Sequence, residues 1–133
     1  MATELQSSQQ RFVVSHLKEA DFKTGGLRGY SAYRDLGVAD ASDGMVEAHV
    51  IRMIAPFRPE LSLQHHHNLK FQMVYCLKGW FETEFEGVGR HRLVAGSSWV
   101  QPPGIRHTVV GWSDDCELIE IHMPAKIETV NDE

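Results

Sequence analysis

From residue 45 onward the chain alternates between apolar and polar positions. Val46, Ala48, Val50 and Ile54 fall on one side of an extended chain, with Glu47 and His49 on the other, the period-two pattern of a half-buried strand. Pro56 and Pro59 end that run. Residues 61–67 alternate again, and residues 71–77 form a mostly apolar stretch. Residues 80–86 interleave aromatic side chains and Thr83 with glutamates. Lys78-Gly79 and Gly87-Val88-Gly89 turn the chain, and residues 98–101, 108–112 and 117–122 complete the series. Upstream the signal is weaker. It predicts an edge strand over residues 11–15, a turn at Gly25-Gly26, a strand over 29–34 and a loop over 40–44, after a polar arm in the first ten residues. Many short strands punctuated by glycine and proline, with no helical period, predict an all-β sandwich or barrel.

With 133 residues the chain has room for one core. It divides into an N-terminal arm with strands (1–44) and a barrel (45–125). Its composition, 42% hydrophobic and 23% charged, is that of a globular protein that needs no disulfides to hold a core. The net charge of −5 and the lack of a basic run argue against a nucleic-acid partner. No apolar run approaches the length of a membrane-spanning helix, so no membrane partner is expected. The two cysteines, Cys76 and Cys116, make no disulfide framework. With a polar N-terminus that lacks a signal pattern, they make the cytoplasm the expected compartment.

Histidine placement changes the picture more than composition does. His65 and His67 are two apart on an expected strand and share a face with Leu61 and Leu63. If that face is the core, two inward imidazoles need something to satisfy their nitrogens, and a divalent cation does so. The competing reading is a solvated run of three histidines before a loop. Further on, the Pro102-Pro103-Gly104 turn presents His107 with little slack.

These residues carry a family resemblance. His65-x-His67, then four residues to Gln72 and six more to Gly79, resembles the first cupin motif. Gly96, five residues, Pro102-x-Gly104, two residues and His107 resemble the second. The resemblance implies a cupin jelly roll of the RmlC-like type, a double-stranded β-helix barrel. It also implies one divalent ion (Fe, Mn, Ni or Zn) held by His65, His67, His107 and the residue at position 72. Three departures stand out: Pro59 replaces the opening glycine of the first motif, Gly111 the closing asparagine of the second, and Gln72 the usual glutamate. Gln72 either ligates through its carbonyl oxygen or steps back to hold a metal-bound water. A neutral amide leaves the ion its full charge, which predicts an acidic bound water and a preference for an anionic ligand.

Other residues are weighed by face. Arg52 shares the apolar face of its strand and is the candidate anchor for a substrate carboxylate, against the alternative that it reaches out to solvent. Cys76, on the face of Gln72 and Val74, is expected to be a small buried hydrophobe. Glu120 and His122 alternate with Ile119 and Ile121, so the isoleucines are expected inside and this polar pair outside. The expected function is a small metalloenzyme acting on an oxygenated or carboxylate-bearing metabolite, with a dioxygenase leading. The alternative is a non-catalytic cupin that binds or senses a small molecule. A homodimer is expected, because a strand-like N-terminal segment invites pairing across a two-fold axis.

Overall fold

The computed structural model describes residues 9–24, 29–61, 65–126 and 129–131, the side chains of 65, 66 and 129–131 excepted. Among the described residues there are ten strands: β1 (Ser31–Asp35), β2 (Glu47–Met53), β3 (His65–His67), β4 (Phe71–Lys78), β5 (Trp80–Phe85), β6 (Gly89–Val94), β7 (Ser98–Val100), β8 (His107–Trp112), β9 (Glu117–Met123) and β10 (Thr129–Asn131). They form two five-stranded sheets, ordered β1-β2-β9-β4-β7 and β10-β3-β8-β5-β6, with antiparallel pairing throughout. The two sheets make the expected jelly roll. No helix among the described residues is long and apolar enough to cross a membrane.

Locally the sequence accounts for most of these elements. In β5 Phe81, Thr83 and Phe85 are buried, while Glu82 and Glu84 face Arg92 and Arg90 of β6 at the surface. Gly79 joins β4 to β5 at φ +68, where a Cβ would stand 2.0 Å from Ser113 Oγ and 2.5 Å from Asp115 Oδ1. Only glycine fits that turn. Met53, Val74, Phe81, Trp112 and Leu118 belong to the core cluster that also includes the fully buried, unpaired Cys76 and Cys116.

Three upstream expectations change. Residues 40–44, read as a loop, begin inside a single helical turn, α1 (Val38–Ala41). Residues 11–15 form no strand. Among the described residues their backbone is tied by Arg11 N–H to Ala41 O at 2.8 Å, and the edge of the sheet is β1 instead. The expected turn at Gly25-Gly26, the alternation over residues 62–64 and most of the polar arm lie outside the described residues.

The third change concerns β2, and it moves residues into and out of the interior. His49, Ile51 and Met53 line the cavity between the sheets. Ala48 and Val50 are buried on the opposite face, and Arg52 lies on that face too. Residues from the N-terminal segment are tied across this outer face, Ser15 by Arg34 and Glu19 by Arg52. A strand covered on both sides has no polar face, so the more apolar set of alternate residues misleads.

Candidate metal centre and ligand cavity

Between the sheets lies a cavity of about 260 Å³. Much of its wall is apolar, with Tyr30, Ile51, Met53, Phe81, Val109 and Trp112 among the contributors, and no lysine or arginine lines it among the described residues. Burial marks where the chemistry is. Ser31, Gln72, Thr83, Gln101, His107 and His122 are the buried polar residues among those described, each at most 7% exposed, and all six line this cavity. Burying a polar group is unfavourable unless a partner meets it, so such a concentration marks a site rather than a core.

The second-motif turn delivers His107 to the start of β8. Gly104, at φ +76, donates its N–H to His67 O at 3.2 Å, which ties this turn to the strand of the first motif. His107 Nδ1 lies 3.0 Å from Ile105 O. A carbonyl only accepts, so Nδ1 carries a proton, and in the neutral imidazole Nε2 is the nitrogen that can bind a metal. The His67 and His107 rings are 5.2 Å apart. The β3–β8 register sets the backbone of His65 opposite His107, while the side chains of His65 and His66 lie outside the described residues.

A directed chain of hydrogen bonds runs across the opposite sheet, starting from Trp99. Trp99 Nε1 donates to Gln101 Oε1 at 3.0 Å, and Gln101 Nε2 lies at a long 3.4 Å from Gln72 Oε1. Gln72 Nε2 donates to Glu120 Oε2 at 2.5 Å, and Glu120 Oε1 faces His49 Nε2 at 2.8 Å. An indole only donates and a carboxylate only accepts, so the two ends fix the orientation of both amides. His122 Nδ1 donates to Pro124 O at 2.9 Å, which leaves Nε2 as the nitrogen turned to the cavity group. His49, Glu120 and His122 offer ligand atoms all within 4.8 Å of one another, a potential His-Glu-His metal site.

Electrostatics follow the contacts. Burial alone would raise the Glu120 carboxyl, but the His49 hydrogen bond and charge, with His122 and His67 near, hold it well below the usual range. Burial would lower His49, yet the bond and charge of Glu120, with Glu47 and Asp35, raise it. The pair is therefore an ionised carboxylate beside an imidazole that favours its charged form.

The expected site residues divide. His67, Gln72 and His107 meet in the cavity. Arg52 does not. Its Nε donates to Glu117 Oε2 at 2.7 Å, its Nη1 to Glu19 Oε1 at 2.6 Å, and its guanidinium stacks 3.8 Å over the Phe22 ring. Glu120 and His122 are the reverse correction. Both line the cavity with Leu118, while Ile119 and Ile121 take the outer face. The sequence held a signal for them, since Leu118, Glu120 and His122 are two apart, but the isoleucines outweighed it. The charge argument for Gln72 changes as well, because a carboxylate stands one hydrogen bond away from this neutral amide.

Imidazole lone pairs, an amide oxygen and one carboxylate around a cavity suit a borderline divalent ion. Thr83 Oγ1, buried in the cavity wall, has no hydrogen-bond partner among the described residues, which marks a place for a polar atom of a guest.

No family model matches the sequence, and no curated protein matches it. Solved structures do. The polyketide cyclase RemF from Streptomyces resistomycificus superposes with a TM-score of 0.68 at 15% identity, over 90% of this chain and 86% of that one. KdgF from Halomonas sp. gives 0.63 at 21% identity, over 84% and 96%. An RmlC-like cupin from Shewanella frigidimarina gives 0.63 at 21%, over 89% and 96%. The chain has the cupin fold. A cupin barrel hosts many chemistries, so function must come from this cavity rather than from the fold.

Proposed function

We propose that this cupin is a metal-dependent enzyme acting on a small, largely apolar, oxygenated metabolite. In this reading the divalent ion is held by His65, His67, His107 and the amide oxygen of Gln72. The single observation that carries it is the confinement of the buried polar side chains to one cavity whose remaining wall is apolar. A bound divalent ion would act as a Lewis acid toward an oxygen of the metabolite. The chain supplies the rest. Apolar walls enclose the body of the guest and exclude water. Thr83 Oγ1 offers a hydrogen bond to a second oxygen. His49, whose Nε2 donates to Glu120 and which lines the same cavity, can release a proton from Nδ1 and take it back.

Within this reading we favour proton transfer over dioxygenase chemistry, because a carboxylate-held imidazole is an acid–base device that reaction with dioxygen does not require. The absence of lysine and arginine from the described wall leaves the ion and the imidazoles to meet any anionic group on the guest. We also infer a homodimer. Phe12, Val14 and Leu17 are 93%, 61% and 62% exposed in a segment tied to its own barrel through polar contacts at Arg11 and Ser15.

The test is metal content and stoichiometry in untagged protein purified without oxygen. One equivalent is expected in the parent, and little in His67→Ala or His107→Ala, with the fold retained. His66→Ala should keep its metal. If His49→Ala or His122→Ala loses the ion while His107→Ala keeps it, the His-Glu-His group is the metal site instead.

A further inference from the structure

Given the metal centre proposed above, we infer that Glu120 serves it through Gln72, aiming the amide oxygen at the ion and supplying the negative charge the neutral donors lack. Three observations converge. The Gln72 amide is held at both ends, with Glu120 Oε2 taking Nε2 at 2.5 Å and Gln101 Nε2 on the Oε1 side at 3.4 Å. Oε1 therefore faces away from the carboxylate, and without Glu120 only the long 3.4 Å contact from Gln101 would resist the amide turning its NH₂ inward. Gln72 and His122 are register partners on neighbouring strands, with Glu120 two residues along, so the contact is built into the sheet rather than into a mobile side chain.

Charge is the third observation. Glu120 is the one carboxylate among the described residues lining the cavity, and no lysine or arginine there competes for it. A divalent ion on imidazoles and an amide keeps its full charge, and in a buried site an anion one residue away counts heavily. The pair also explains why position 72 is an amide. A second carboxylate 2.5 Å from Glu120 would need a proton between the two. Amide at 72 and carboxylate at 120 are a matched set, and the reverse assignment, carboxylate at 72 and amide at 120, has the same net charge and hydrogen bond. The competing role is purely structural, with Glu120 there only to pair with His49. That role predicts a loss of stability and no change in metal affinity.

The experiment measures Co²⁺ affinity at pH 7 by competition with a chelating dye, alongside thermal unfolding. Glu120→Gln should weaken Co²⁺ binding by roughly 10- to 100-fold, the range for a residue that orients a metal ligand. The swap Gln72→Glu with Glu120→Gln should recover most of that affinity, because charge and hydrogen bond are both restored. The inference is overturned if E120Q binds Co²⁺ as tightly as the parent, or if the swap binds no better than E120Q or not at all. His107→Ala keeps the two failures apart. It should abolish Co²⁺ binding in the parent and in the swap, and if it leaves affinity intact the metal centre is elsewhere and the role of Glu120 falls with it.

Discussion

Gln72 and Glu120 meet at 2.5 Å across the β4–β9 pair, a neutral amide against a half-buried carboxylate. The contact places a negative charge beside the expected ligand set without putting it on a ligand. It also forbids the simplest repair of the unusual glutamine.

Gln72→Glu alone, studied with a chelator present, sets two carboxylates against each other. One must hold a proton, so its pKa in the folded state rises above the value of about 4.3 in the unfolded chain. A raised folded pKa gives a contribution that is complete below the unfolded pKa and lost as pH rises through the folded one. The variant should therefore melt closest to the parent near pH 4 and fall behind it toward pH 8. Each tenfold gain in proton affinity corresponds to about 1.4 kcal/mol of stability lost at high pH. A melting temperature that tracks the parent across this range would mean the two side chains do not touch.

The Glu120–His49 pair makes a second pH prediction. Glu120 is depressed, so its contribution is present above about pH 4.3 and lost as pH falls through the lowered pKa. His49 is raised, so its contribution is present below about pH 6.5 and lost as pH rises through the raised pKa. These are two views of one contact and count once. The parent should exceed Glu120→Gln by about 2 kcal/mol between those limits, with the gap closing on both sides. A gap that does not vary with pH would show that the pair is not ionic.

How much of this was legible in the sequence depends on what covered each strand. His67, Gln72 and His107 were readable, because their spacing around the Pro102-Pro103-Gly104 turn is a local property of the chain. Strand β5 was readable because one face meets water, so its glutamates mark the outside. Strands β2 and β9 were not. Their outer residues Ala48 and Val50 are buried, and Ile119 and Ile121 only partly exposed, so hydrophobicity pointed away from the cavity. His49, Glu120 and His122 then looked like surface residues, although they carry the polar chemistry of the interior.

Arg52 tests the corrected face. Its partners are Glu117, Glu19 and Phe22, all away from the cavity. Arg52→Ala should leave Co²⁺ affinity at the parental value. It should lower the melting temperature modestly and speed proteolytic cleavage within residues 9–24, which lose their tie to β2. A loss of metal or ligand binding with residues 9–24 still protected would return Arg52 to the site.

The two motif glycines separate close approach from backbone conformation. Gly79 and Gly104 both have positive φ, but a Cβ on Gly79 meets Ser113, Asp115 and the Cys116 backbone, whereas one on Gly104 meets nothing within 4 Å. Gly104→Ala should cost about 1–2 kcal/mol from the left-handed conformation alone. Gly79→Ala adds overlap in a turn that cannot move away and should cost clearly more. Chemical denaturation of both variants checks the order, and equal losses would mean the β4–β5 turn can relax.

The association state is the last prediction, and the N-terminal segment carries it. Phe12, Val14 and Leu17 are largely exposed, although burying one such side chain is worth about 1.5–3 kcal/mol. Ser15 is fixed to Arg34, and Arg11 to Asp40, so the segment cannot simply fold these side chains down without breaking polar ties. A second copy offers a remedy, since an exposed apolar stretch at a sheet margin favours self-association. Light scattering at micromolar concentration should give twice the 15.1 kDa chain mass. Phe12→Asp together with Leu17→Asp should shift the particle toward monomer without altering Co²⁺ affinity, because neither residue lines the cavity. A parent protein that scatters as a 15.1 kDa particle would remove the dimer and leave the exposed phenylalanine to be explained by some other contact.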